Sequence, residues 1–184
     1  RSIRKVMKTA VVYNSKYGAA RQYGEWIAEA LNADLIDGKG LKVAQLMPYD
    51  LIVYGGGIYS GGIYRLDFMK KHARKELRQK VIVCYGVGIS VGHDENQIQA
   101  DEINFSDELK GMPCFYLTGR FQPSEIRGFD RAVIKLTKKL LQGGTGAYAD
   151  ELRDAFANGS DLIDREQILP LVQYVRELEE RMQA

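Results

Sequence analysis

Ser15 and Gly18 stand three residues apart, where the apolar run Ala10–Tyr13 gives way to a helical pattern starting at Ala19. A hydroxyl and a glycine in a strand-to-helix turn suit an anion. The hydroxyl can face a phosphate oxygen and the glycine lets the backbone come close. The helix start aims free N–H groups and the positive end of its dipole at the same point. The candidate phosphate residues are Ser15, Lys16, Tyr17, Gly18, Ala19 and Ala20. Neither Gly-x-x-x-x-Gly-Lys-Ser/Thr nor Gly-x-Gly-x-x-Gly follows this run, which disfavours a P-loop nucleotidase and a dinucleotide Rossmann site. Alone, a Ser-x-x-Gly turn is equally a plain strand-to-helix turn.

Other glycine-bearing segments change that balance. Gly55-Gly56-Gly57-Ile58-Tyr59-Ser60-Gly61-Gly62 sets five glycines around an isoleucine and a tyrosine, directly after the apolar run Leu51–Tyr54. Glycine loses much entropy on ordering, so this density at a strand end reads as bare backbone for a flat group, with Tyr59 as a stacking face; the alternative is a flexible hinge. Tyr85-Gly86-Val87-Gly88-Ile89 and Leu117-Thr118-Gly119-Arg120 repeat the theme after two later runs. Four such loops, one suited to phosphate and one bearing an aromatic ring, describe a site for a phosphorylated planar cofactor. FMN is the evident candidate.

The elements that must position these loops are legible as periodicity. Ala10–Tyr13, Asp34–Ile36, Leu51–Tyr54, Val81–Tyr85 and Cys114–Leu117 read as strands, the third and fourth apolar enough to be buried on both faces of a parallel sheet. Between them, Ala19–Leu31 carries Tyr23, Trp26, Ile27, Ala30 and Leu31 on one stripe. A weaker stripe is Leu66, Met69, Ala73 and Leu77. Another is Phe129, Val133, Leu136 and Leu140, ended by Gly143-Gly144. A short helix is expected around Leu41–Leu46. Alternating strand and helix implies an α/β doubly wound sheet with its loops on one ligand-binding edge. After Asp161-Leu-Ile-Asp164 a short turn precedes a last helix that starts near Pro170 and packs back on the sheet, with Leu171, Val175, Leu178 and Met182 at helical spacing. Residues 9–184 read as a single domain, with 145–184 as its C-terminal helical segment. Residues 1–8 read as an extension or an expression remnant, with Met7 the natural start.

Composition narrows the class. The 184 residues are 45% hydrophobic and 27% charged with a net charge of +2, ordinary for a globular domain of this size. No run of about 18 apolar residues or signal-peptide core occurs, so a cytoplasmic protein is expected. Cys84 and Cys114 are too few for a disulfide framework or metal cluster and read as packing residues. Charge is uneven. Arg65–Lys80 holds seven Lys/Arg against Asp67 and Glu76, and Arg120–Gln142 holds six against Glu125 and Asp130. These are solvated helix faces or a positive surface for an anionic substrate or the inner face of a membrane. No aromatic-interleaved basic platform points to nucleic acid.

With those residues in place, the chain resembles the flavodoxin superfamily. Ser15-Lys-Tyr-Gly-Ala-Ala20 is similar to its Ser/Thr-x-Thr-Gly-x-Thr phosphate motif, with Tyr17 and Ala20 where hydroxyls are expected; that departure removes side-chain bonds to the phosphate and leaves the backbone ones. Gly55-Gly-Gly-Ile-Tyr-Ser-Gly61 resembles the Gly-x-Ser-Ile-x-x-Gly loop of the branch that includes the bacterial quinone-linked protoporphyrinogen oxidases. Phe115-Tyr-Leu-Thr-Gly-Arg120, Arg127-Gly-Phe-Asp-Arg131 and Gly159–Asp164 resemble further parts of that branch. The resemblance implies a five-stranded flavodoxin-like sheet of order 2-1-3-4-5. FMN phosphate would bind at Ser15–Ala20. Its ring would lie between Gly56, Gly57, Ile58, Tyr59, Ser60 and Gly61 on one side and Gly86, Val87 and Gly88 on the other, near Thr118 and Gly119. Either Tyr59 or Ile58 would face the ring.

Three functions follow as expectations: an FMN-dependent oxidoreductase, protoporphyrinogen oxidase-like; a small electron carrier for protein redox partners; and a flavin-free interaction module. The flavin would carry the redox chemistry and the protein would tune it. His93, after the fourth strand, is the one candidate for a proton-transfer or substrate role, whereas His72 reads as solvent-facing. No metal-ligand spacing is present.

Overall fold

The computed structural model describes residues 6–142, 144 and 147–184. Residues 1–5 of the extension, the expected helix stop Gly143, and residues 145 and 146 lie outside the described residues. Strand β1 (Thr9–Asn14) sits between β2 (Asp34–Asp37) and β3 (Leu51–Tyr59). Beyond β3 lie β5 (Val81–Gly88) and β6 (Cys114–Thr118), giving the parallel order β2-β1-β3-β5-β6. These five are the expected strands in the expected order. A two-residue strand, β4 (Gly62–Ile63), pairs antiparallel with the end of β3.

Alternation along β3 shows why its residues are apolar on both sides. Ile52 and Tyr54 face a core layer with Met69, Leu77, Phe105 and Leu109. Leu51 and Val53 face the opposite layer with Tyr23, Ile27, Leu171 and Val175. The first layer is closed by the six-residue helix α2 (Asp67–His72) and by Phe105 and Leu109, which follow α3 (Asp94–Asn104). The second is closed by α1 (Ala19–Leu31) and by α6 (Leu169–Gln183). Before α6, Arg165–Ile168 forms the expected short turn, its start fixed by the Asp164 carboxylate accepting from the Glu166 N–H; Pro170 sits in the helix's first turn, where a missing N–H costs nothing. The helix expected near Leu41–Leu46 is a single 3-10 turn, Val43–Leu46.

Three readings need correction. The glycine loops after the third and fourth strands are strand: β3 runs on through Gly55–Tyr59 and β5 through Gly86–Gly88, with Gly55–Gly57 paired to Tyr85–Val87. Here the glycines admit the protein's own rings. A Cβ on Gly55 would lie 2.0 Å from a Tyr85 ring carbon. The stripe Phe129-Val133-Leu136-Leu140 does not pack on the core as a row; of its members Val133 alone is half-buried. It lies on α4 (Gly128–Leu141), where Phe129 is 82%, Leu136 59% and Leu140 75% exposed. The protein-facing side of α4 instead carries Asp130, Ile134, Thr137 and Leu141, because Asp130 is drawn inward by the Tyr17 hydroxyl. Finally, His72 is not solvent-facing: its ring lies on Phe68 at 4.8 Å between centroids and its Nδ1 meets Glu76 at 2.9 Å, leaving 12% of the side chain exposed.

After β6 the chain makes an excursion. Strand β7 (Arg120–Phe121) pairs antiparallel with β8 (Ser160–Asp161), and between them α4 and α5 (Ala147–Asn158) fold back over the strand ends. Phe121, Ile126, Leu152 and Phe156 form a small separate core there.

Candidate functional site

At the end of β1, Asn14 is buried and its Nδ2 donates to the Gly55 carbonyl at 3.0 Å, tying β1 to β3 at the point where the strand order reverses. Open α/β sheets bind ligands at such a point. Ser15 then turns the chain: its Oγ accepts from the Gly18 N–H at 3.0 Å. Gly18 adopts φ +99°, a left-handed conformation that glycine takes without strain, and α1 starts behind it with no side-chain cap. The first-turn N–H groups of α1 are therefore left to the cavity that Ala19 and Ala20 line.

That cavity has a volume of about 290 Å³, near the lower end of small-ligand sites, roughly 300–1,000 Å³. It runs from Tyr17, Ala19 and Ala20 across the strand ends Gly57–Gly61 and Val87–Val91 to Gly119 and Arg120. Its far wall is apolar, with Phe121, Ile126, Ile134 and Phe156. Of the sequence candidates, Tyr17, Ala19, Ala20, Gly57, Ile58, Tyr59, Ser60, Gly61, Val87, Gly88 and Gly119 line one space. Ser15, Lys16 and Gly18 shape its phosphate end from behind.

The remaining candidates lie elsewhere. Gly56 backs onto Asn14 and the Tyr64 carbonyl, and Gly86 lies under Ile58 and Ile63. Thr118 is turned to the C-terminal segment, where its Oγ1 donates to the Leu162 carbonyl at 2.8 Å and accepts from Gln167 Nε2 at 2.6 Å. His93 is outside the cavity lining, its Nε2 2.6 Å from Glu151 Oε2 of α5.

Charge at the phosphate end is organised by α4. Lys16 Nζ lies 3.2 Å from Asp130 and 4.4 Å from the centre of the Tyr59 ring. The Tyr17 hydroxyl donates to the same carboxylate at 2.5 Å. Burial, then that bond, push the Tyr17 hydroxyl up to about 12. In return the Tyr17 hydroxyl, with Lys16, holds the Asp130 carboxyl below the usual range. Tyr59 stands on edge between Tyr17 and Tyr64, and its hydroxyl accepts from the Lys16 N–H at 3.3 Å. Arg120 reaches back to the Tyr17 carbonyl at 3.3 Å.

These residues fit a phosphate-bearing flat group in kind. They supply an uncapped helix start, two cations at the rim (Lys16 and Arg120) and strand ends whose glycines leave the backbone bare. A Cβ on Gly57 would lie 2.5 Å from the Tyr59 hydroxyl, so ring and glycine already share the space. Sequence reasoning missed the α4 and α5 side of the cavity, namely Asp130, Val133, Ile134, Thr137, Leu152 and Phe156. The signal was present as a second stripe, Asp130, Ile134, Thr137 and Leu141 at spacings of four, three and four, overshadowed by the more apolar one beside it.

A switch-point cavity with an uncapped helix start is the arrangement of a flavodoxin-type domain, and residues 10–148 match the family model described as Flavodoxin domain. The chain belongs to that family. Among individual proteins, it is 24% identical over 151 residues to Protoporphyrinogen IX dehydrogenase [quinone] of Escherichia coli strain K12, an alignment covering 76% of this chain and 83% of that one. Among solved structures, a short-chain flavodoxin associated with a PDU bacterial microcompartment is 20% identical with a TM-score of 0.45, covering 61% of this chain and 82% of that one. A WrbA-like flavodoxin from Agrobacterium tumefaciens is 25% identical with a TM-score of 0.43, covering 54% and 69%.

Proposed function

We propose that this chain binds FMN in the switch-point cavity and acts as an FMN-dependent oxidoreductase. One observation carries the reading: in a chain of the flavodoxin-domain family, a single cavity joins the uncapped start of α1 to the glycine-bearing ends of β3 and β5. The backbone of Ser15–Ala20 would hold the phosphate, with Lys16 and Arg120 as its cations. Gly57–Gly61, Val87–Gly88 and Gly119 would flank the flat ring, and Phe121, Ile126 and Phe156 would keep water from it. When bound, FMN supplies the electron- and hydride-transfer chemistry.

The chain's own residues set the terms of binding. The Tyr59 hydroxyl occupies the Lys16 N–H, so it and a phosphate oxygen compete for one donor. Asp130 adds a negative charge beside the phosphate end, and Lys16 and the Tyr17 hydroxyl offset it. His93 is engaged with Glu151 away from the cavity wall and takes no part in this reading.

The name of the E. coli relative supports a porphyrinogen as reductant and a quinone as oxidant, the first pair to assay. The deciding experiment is the visible spectrum of the purified protein before and after incubation with FMN and desalting. Flavin bands that survive desalting are expected. Colourless protein that retains no added FMN overturns the reading. With flavin retained, multiple turnovers of protoporphyrinogen with a quinone would establish the substrate pair, and their absence would leave an FMN protein of different specificity.

A further inference from the structure

Helices α4 and α5 wall the cavity without belonging to either core layer. The lining residues of α1, β3 and β5 sit in elements packed into those layers, whereas α4 and α5 share the small separate cluster around Phe121. The two ends of the segment lie together, because Arg120–Phe121 pairs with Ser160–Asp161 over two residues only. Gly128 at the start of α4 (φ +56°) and Gly159 just after α5 (φ +85°) are both left-handed, and a few such element-end residues can absorb the backbone change of a hinge. On the outer side Phe129, Leu136 and Leu140 are exposed, so among the described residues nothing clamps α4 from outside.

Two polar ties hold this unit against the rest of the domain, with Tyr17 and Ile89 adding apolar edges to its cluster. At the phosphate end the Asp130 carboxylate lies 3.2 Å from Lys16 Nζ and accepts from the Tyr17 hydroxyl at 2.5 Å. At the opposite end Glu151 Oε2 lies 2.6 Å from His93 Nε2. The first tie uses the cation that a phosphate needs, and Asp130 itself lines the cavity. Its carboxylate is thus an internal anion at the phosphate end. The cavity's size points the same way. Its volume of about 290 Å³ lies just under the usual range for small ligands, roughly 300–1,000 Å³, and FMN joins three fused rings to a ribityl phosphate. A wall must yield to admit it, and the wall outside both core layers is the one free to do so.

We propose that α4 and α5 form a lid over the cavity, latched by Asp130, and that an incoming phosphate releases the latch by taking Lys16 and the Tyr17 hydroxyl. The identity of the natural ligand rests on the FMN reading; the latch does not. A phosphate monoester carries a charge of roughly −1.5 to −2 near pH 7, so it outbids a carboxylate for one lysine and repels it. The cofactor's own phosphate then frees α4 and widens the cavity, while the Glu151–His93 tie stays as the pivot. Loading and access are coupled through one side chain.

The test is hydrogen exchange of the full flavin-free chain, read by mass spectrometry, with about 20 mM inorganic phosphate against chloride of equal ionic strength. Phosphate is expected to speed exchange in α4 by about five-fold or more, while α1, β5 and the part of α5 around Glu151 do not speed up. That direction is opposite to the protection a merely structural wall would gain from a ligand. Asp130→Asn should exchange in α4 about as fast without phosphate as wild type does with it, and should respond no further. Lys16→Gln breaks the same tie from the other side and should loosen α4 likewise. Slow exchange kept in β5 separates latch release from general unfolding in both variants. The proposal is overturned if phosphate leaves α4 unchanged or slows it, or if α4 stays as slow in both variants as in wild type. FMN retained over an α4 that phosphate does not loosen rejects the latch alone. Loosening by phosphate in a protein that retains no FMN upholds the latch and rejects the cofactor.

Discussion

Tyr59 and Lys16 meet at 3.3 Å, hydroxyl to backbone N–H, in the turn where a phosphate needs that donor. Removing the hydroxyl should therefore help the flavin. A single long neutral hydrogen bond contributes about 0.5–1 kcal/mol net, so Tyr59→Phe is expected to tighten FMN binding by roughly two- to five-fold. Flavin fluorescence quenching on titration measures it, and weaker binding would show that the hydroxyl helps hold the cofactor. Asp130 makes the second residue-scale case. Asp130→Asn takes a negative charge away from the phosphate end and frees Lys16, so FMN should bind several-fold tighter at low salt, with the gain shrinking as salt rises. Its effect on stability has the opposite sign. The Asp130 carboxyl titrates below its ordinary value in the folded chain. Its contribution is thus present in full above the unfolded value, about 3.9, and is lost as pH falls through the folded one. In the flavin-free protein, the wild-type advantage in urea midpoint over Asp130→Asn should shrink as pH drops from about 5 to about 3. A difference that stays constant across that window would show that the ion pair is not its source.

Elements, in contrast, are held by side chains that replace backbone partners or claim backbone space. Asn104, buried at the end of α3, accepts from the Ile63 N–H at 2.9 Å and donates to the Gly61 and Ala100 carbonyls at 2.8 Å each. It clamps the β3–β4 hairpin whose tip lines the cavity. Asn104→Ala strands the Ile63 N–H and should cost about 2–3 kcal/mol, read from the urea midpoint, with looser FMN binding as a second effect. At Gly55 the claim is space. Gly55→Ala puts a methyl into the Tyr85 ring and should cost about 3 kcal/mol in a sheet with no room to shift. A midpoint unchanged from wild type would mean that the Tyr85 ring moves freely. These two residues also show what the sequence could and could not reveal. The five main strands and α1 were legible because their apolar runs and stripes are also their buried faces. Where β3 and β5 ended was not, because glycine within a strand looks like loop until the ring that needs its space is known. Helix α3 was illegible because its buried residues are Ala100 and Asn104, which leave no apolar stripe. Helix α4 was legible as a helix but with the wrong face inward, since the choice between its stripes is made by Asp130 reaching a tyrosine more than a hundred residues away. The phosphate turn was readable because its geometry is local, whereas the cavity's far wall depends on how α4 and α5 fold back.

At the scale of the whole molecule, three buried tyrosines join parts of the chain that sequence keeps apart. The Tyr23 hydroxyl of α1 donates to the Thr118 carbonyl at the end of β6, at 2.6 Å. Tyr54 of β3 reaches the Arg65 carbonyl at 2.6 Å, and Tyr85 of β5 reaches the Ala20 carbonyl at 2.9 Å. These rings are buried, and burial foremost pushes each hydroxyl above its ordinary value. A raised folded value means stability that is complete below the unfolded value, about 10, and declines as pH rises past it. Each such group costs up to about 1.4 kcal/mol per pH unit in that window, so three together cost about 4 kcal/mol per unit against a total of about 5–15 kcal/mol. The urea midpoint should begin to fall above about pH 8.5, where the Cys84 and Cys114 thiols, also pushed up by burial, start to cost, then collapse before about pH 12. Tyrosinate absorbance supplies the independent check among the eleven tyrosines. The signal from these three should be missing while the chain is folded and appear in the same step as the loss of circular dichroism. A smooth titration of all eleven well before unfolding would show that the hydroxyls open locally, and that the two core layers do not melt as one.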